Sequence, residues 1–232
     1  MPASKKQKKS KKPSKVTKNN VGRLVRQYVT TIEEKKFTNF TCWDSATPLA
    51  TASLTTWTVV PLLQQWANPA SGGNGITQGS SANQRLGNKC KLQGIDVMVQ
   101  VSPSASLGSL SGFCRMCVVH DKRSNSQTAA PGGADIFTSN TNGWLAFPNP
   151  VYSERFTVTN DMVHSLVSTS TVTGGPEGLY KIHIPARTVL EFNGTNGTLA
   201  NTVGSNYFFA FVSDQANCCN LLIQSIAYFT DA

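Results

Sequence analysis

Acidic side chains are missing from the start of this chain: the first is Glu33. Charged residues of either sign make up only 14% of the sequence, against about a quarter in an average soluble domain. No segment approaches about 18 consecutive apolar residues, so no membrane-spanning helix and no membrane insertion are predicted. The N-terminus has cations but no apolar stretch behind them, so no secretory signal is read there. Cytosolic synthesis is the expectation. The six cysteines, Cys42, Cys90, Cys114, Cys117, Cys218 and Cys219, should then stay reduced. The sequons at Asn39, Asn193 and Asn196 should stay unmodified.

Catalytic signatures are also missing. No GxSxG, HExxH, P-loop or dinucleotide fingerprint occurs. The three histidines are His120, His164 and His183. Asp121 follows His120, but neighbours on a strand point to opposite faces, so the two make no dyad. His183 alternates with Ile182 and Ile184 and should face away from the core. Cys114 and Cys117 have CxxC spacing inside an apolar β run. Residues three apart on a strand also face opposite ways, so a core role is expected rather than a shared metal. The chain is read as a non-enzyme with no cofactor and no metal site.

What is present is a run of cations at one end. Lys5, Lys6, Lys8, Lys9, Lys11, Lys12, Lys15, Lys18, Arg23 and Arg26 all precede residue 27. Residues 27–232 hold eleven cations against twelve acids, net −1, although the whole chain is +9. The reading is a basic arm, 1–27, on a near-neutral body, 28–232. The arm has little to bury and repels itself, so it is predicted to be disordered until it meets an anion. Lysines that pair with phosphates release condensed counterions, which gives strong, salt-dependent, sequence-indifferent binding. No aromatic residue precedes Tyr28, so the arm lacks a base-stacking platform. It also has no fixed helix or ribbon to place in a groove. All ten cations are therefore candidate nucleic-acid contacts by charge matching. Lys5, Lys6, Lys8, Lys9, Lys11 and Lys12 also fit a nuclear-import cluster. The body is rich in Ser, Thr, Asn and Gly, which suits a surface covered by further copies. It would suit a secreted β-protein equally well.

The body reads as strands separated by turn chemistry. The candidates are 33–43, 87–102, 112–121, 153–160, 163–172, 178–186, 206–214 and 220–230. In the second, Ile95, Val97, Val99 and Val101 alternate with Asp96, Met98 and Gln100. The third is apolar on both faces and looks central. Short helices are candidates at 54–66, cut by Pro61, and at 134–139. Long, uneven connections disfavour a meander, so the fold class is all-β: a single eight-stranded antiparallel jelly roll with a disordered basic N-terminal arm. The loops 103–111, 124–133 and 193–204 are read as exterior features.

Three motifs carry a resemblance. ITQGSSANQRLGNKCKLQGIDVMV (76–99) contains Gln78, Gly79, Gln84, Arg85, Gly87, Asn88 and Lys89 ahead of a long strand. VVHDKRSNSQTAAPGGADIF (118–137) is a strand ending in Asp-Lys, a polar loop and a short helix. NPVYSERFTV (149–158) holds Glu154-Arg155-Phe156. In order and spacing these resemble capsid proteins of small circular Rep-encoding single-stranded DNA viruses, the circovirus-like group. The arm departs from the circoviruses proper, being shorter and dominated by lysine. The resemblance implies an icosahedral shell of sixty copies or a multiple, with the arms inside on a single-stranded DNA genome. Sixty arms of ten charges would match roughly 600 phosphates. It further implies a virion protein that visits host cytoplasm and nucleus, meeting an import receptor and a host-cell receptor. It places Arg85 and Lys89 near the start of the long strand, as a structural pair or as genome contacts. The competing readings are a capsid of a small or satellite RNA virus, and a cellular nucleic-acid-binding or lectin-like jelly-roll module. Trp43, Trp57, Trp66 and Trp144 are scattered, which gives a carbohydrate site no support.

Overall fold

The computed structural model describes residues 21–22, 34–43, 57–65, 75–103, 111–125, 129–138, 143–167, 178–214 and 219–232. The chain divides into two units, Met1–Glu34 and Lys35–Ala232. Of the first, Val21 and Gly22 are helical and exposed, and Glu34 is exposed.

The second unit is all-β. Its strands are β1 (Lys36–Trp43), β2 (Thr58–Pro61), β3 (Lys89–Pro103), β4 (Ser111–Asn125), β5 (Phe156–Val167), β6 (Gly178–Pro185), β7 (Val189–Phe192), β8 (Thr202–Ser213) and β9 (Cys219–Asp231). Every pairing between them is antiparallel. The pairs nest: β1 with β9, β2 with β8, β3 with β6, β4 with β5. Two further ladders, β3 with β9 and β4 with β8, join these pairs into four-stranded sheets. The first runs β1-β9-β3-β6 and the second β2-β8-β4-β5. This is the jelly-roll arrangement, a long hairpin rolled onto itself. β7 bridges the sheets at one end, pairing Lys89–Lys91 of β3 and Thr202–Val203 of β8.

Alternation decides which side chains fill the sandwich. Ile95, Val97, Val99 and Val101 of β3 are fully buried between the sheets. Leu221, Ile223, Ala227 and Phe229 of β9 meet Cys114, Met116 and Val118 of β4 and Tyr207, Phe209 and Phe211 of β8 in the same cluster. The second sheet is buried on its other face too. Phe208, Ala210 and Val212 of β8, with Cys117 and Val119 of β4, pack beneath Ile136, Phe137 and Ala146. Trp57 stacks on Phe137 at 3.8 Å and donates its indole N–H to the Gly143 carbonyl at 3.1 Å. A single-turn helix, Gly133–Ile136, belongs to this outer layer.

Three sequence expectations need correction. The described residues hold nine strands, not eight. The segment 54–66 is not helical where it is described: β2 forms there and, among the described residues, pairs with β8 alone. Thr58, Val59 and Val60 are β-branched, and an edge strand tolerates Pro61 because one ladder suffices. The expected strands 153–160 and 163–172 share one strand, β5. Its register shifts between Met116↔Met162 and Val118↔Thr159, and Asn160 sits there at φ 49°. Asn tolerates this left-handed conformation, so Asn160-Asp161 forms a bulge inside a strand rather than a turn between two.

Phe209→Ala should cost about 3–5 kcal/mol, because its ring is fully buried between the sheets. Val163→Ala, at an exposed position, should change stability by less than about 0.5 kcal/mol. Urea denaturation midpoints check both.

Candidate functional site

The ten cations assigned to nucleic acid, and the six assigned to nuclear import among them, lie outside the described residues. The body's own charges are described, and most are engaged. Ion pairs join Lys36 to Asp231 at 2.7 Å, Lys89 to Glu191 at 2.6 Å, Arg115 to Asp161 at 2.5 Å and Arg155 to Asp121 at 2.8 Å. Arg123 faces Glu154 at 3.5 Å. Asp121 is fully buried, and its hydrogen bond raises the Arg155 pKa.

The segment 76–89 forms a hub. Arg85 is fully buried. Its guanidinium donates to the carbonyls of Ile76, Gly87 and Gly194, and it lies 4.3 Å from the Phe192 ring centroid. Burial lowers its pKa, because a desolvated cation is disfavoured. Five N–H donors in a planar fork suit arginine to this place: the spread guanidinium reaches three separated carbonyls from one side chain. Around it, Gln78 pairs with Arg85 through the backbone, and Leu86 N–H donates to Asp231 at 2.9 Å. Lys36 Nζ donates to the Gln84 carbonyl at 3.0 Å. The Gln84 side chain lies over Gly79, where an added side chain would come within 2.0 Å of its Oε1 and displace it. The hub thus fastens the loop to β1, to the end of β9 and to the 193–197 loop. Arg85 is a structural group, closed to any genome. Lys89 is exposed and paired with Glu191 across β7.

Other sequence candidates fall where strand geometry puts them. Cys114 is buried between the sheets, whereas Cys117 is buried in the outer layer, on the opposite face of β4. Cys42, Cys90, Cys114, Cys117 and Cys219 are free thiols; Cys218 lies outside the described residues. Burial pushes Cys42 and Cys90 up to about 12, which makes both poor nucleophiles. His120 and Asp121 do point apart. His120 stacks on Tyr207 at 4.4 Å and its Nε2 meets Ser205 Oγ at 2.6 Å. Sequence reasoning missed this serine contact, since 85 residues separate the two. Desolvation lowers the His120 pKa, and its neighbour Asp121 is turned to Arg155 instead. His183 faces solvent, as expected, and its Nδ1 lies 2.6 Å from Asp96 Oδ1. That hydrogen bond, with a second from Tyr228 Oη at 3.2 Å, lowers the Asp96 pKa. Among the described residues no three His, Cys, Asp or Glu side chains converge on a metal-sized site, and no helix is long and apolar enough to cross a membrane.

No protein-family model matches the chain, and no curated protein matches it in sequence. Among solved structures, one of Desmodium yellow mottle tymovirus is similar at a TM-score of 0.30 and 7% identity, over 85% of this chain and 86% of that one. Another, of the Triatoma virus empty capsid, has a TM-score of 0.29 and 14% identity, over 100% of this chain and 83% of that one. Neither likeness carries an argument about function at these values.

Arg85→Ala should cost on the order of 3 kcal/mol, since it strands three carbonyls. Arg85→Lys should recover only part of this, and thermal unfolding would show it. A carboxylate with a depressed folded-state pKa stabilises the fold above its ordinary value. That contribution is lost as pH falls through the depressed one. Asp96→Asn should therefore flatten the decline of melting temperature below about pH 4.

Proposed function

We propose that this chain is a viral capsid protein: its jelly-roll body tiles an icosahedral shell of sixty copies or a multiple, and its Lys-rich arm binds the packaged single-stranded DNA genome. One observation carries the reading, the segregation of charge. Ten cations precede residue 27, while eleven cations and twelve acids share the rest of the chain. A near-neutral body lets many copies pack without mutual repulsion, and the arms are cancelled by the cargo. The paired charges of the body support the same reading, since an interface buries a satisfied ion pair at less cost than a lone charge. Lys5, Lys6, Lys8, Lys9, Lys11 and Lys12 serve nuclear import in this proposal, and the virion is the protein's destination. The role of the chain is structural rather than catalytic.

Light scattering with absorbance at two wavelengths tests it on nuclease-treated protein. A particle of megadalton mass holding protected nucleic acid is the expected result. A monomer or small oligomer without nucleic acid would point to a binding module instead. Sequencing the protected strand decides DNA against RNA. Deleting residues 2–27 should yield particles empty of nucleic acid or no particles; filled particles would remove the arm from packaging.

A further inference from the structure

The solvent face of the β1-β9-β3-β6 sheet is unusually apolar for one that nothing covers in the described chain. Phe37 is 53% exposed, Met98 44%, Leu179 67% and Tyr228 37%. Register places them in rows. Phe37 of β1 lies opposite Tyr228 of β9, Tyr228 opposite Gly94 of β3, and Gly94 opposite Pro185 of β6. The next row is Asn39, Ile226, Asp96 and His183; the one after is Thr41, Gln224, Met98 and Lys181. On the other side of the aromatic row, Lys91 of β3 lies opposite Thr230.

We propose that this face binds single-stranded nucleic acid by stacking bases on Phe37 and Tyr228. The proposal rests on the packaging reading and deepens it. Three features favour this occupant. Gly94 leaves no Cβ between the rings of Tyr228 and His183: a side chain there would approach His183 Cε1 to 3.3 Å. Phe37 and Tyr228 are exposed side by side across β1 and β9, and such rings suit the π-face of any base. Cations bracket it, with Lys91 on one side, Lys181 on the other and the exposed Lys35 ahead of β1, where phosphates would run. The acid within these rows, Asp96, is occupied by His183 and Tyr228, and its bond to Tyr228 holds that ring in place. The arm has no ring before Tyr28. Charge would come from the arm, and stacking from this face of the body.

The test uses the full chain and a fluorescein-labelled oligothymidylate. Stacking is worth about 1–3 kcal/mol per base, so the double variant Phe37→Leu/Tyr228→Leu should bind at least about tenfold more weakly. The slope of affinity against salt should stay unchanged, because that slope counts arm lysines. Tyr228→Phe, which keeps the ring but loses its bond to Asp96, should retain most of the affinity that the double variant loses. The proposal is overturned if the double variant keeps full affinity while deletion of residues 2–27 abolishes it; packaging by the arm then survives alone. It is overturned equally if the double variant keeps affinity but no longer forms particles, which would make the face a contact between copies. Failure of the parent chain to bind any oligonucleotide would sink the packaging reading as well.

Discussion

A strand that is apolar on both faces can lie only where each face is covered. β8 has this character from Asn206 to Ser213, where every residue is buried, and β4 beside it shares it. One face is met by the first sheet. The other is covered by residues 130–138 and 143–147, with Phe137 stacked on Trp57 and the single-turn helix beside them. The body is therefore three layers deep at the second sheet and two layers deep at the first. Among the described residues the outer side of β1-β9-β3-β6 has no such layer over it.

The hub around Arg85 solves a different problem. Long connections between sheets are entropically costly to hold and carry backbone groups that need partners. A buried guanidinium gathers three carbonyls from two loops, one of them 109 residues away. Lys36 and Asp231 then fasten the same loop to the first and last strands. Cations in this chain thus do two unrelated jobs. Lys36, Arg85, Lys89, Arg115 and Arg155 are fixed to acids or carbonyls, whereas in the proposed function the arm cations meet the genome.

Much of the fold was legible because β3, β6 and β9 alternate cleanly, and because β4 shows no alternation at all. The short edge strand β2 was not. Its four residues give a single turn of evidence, and the pairing that decides it lies 150 residues downstream in β8. β5 was split because Asn160-Asp161 carries turn chemistry, and only its partner strand reveals a bulge. Arg85 stood out by motif, but its role could not be read, since its partners are backbone carbonyls that leave no trace in sequence. The aromatic face escaped for a related reason. Phe37 and Tyr228 are 191 positions apart in sequence and become neighbours only through the pairing of β1 with β9.

That pairing also sets an order of events. The nested ladders make nearly every strand wait for one made much later, a topology that folds slowly. β1 is synthesised first and β9 last, so the sandwich cannot close until Cys219–Asp231 has left the ribosome. The arm is available throughout that interval. If the arm binds a polyanion as proposed, translation order lets that encounter precede closure of the sandwich.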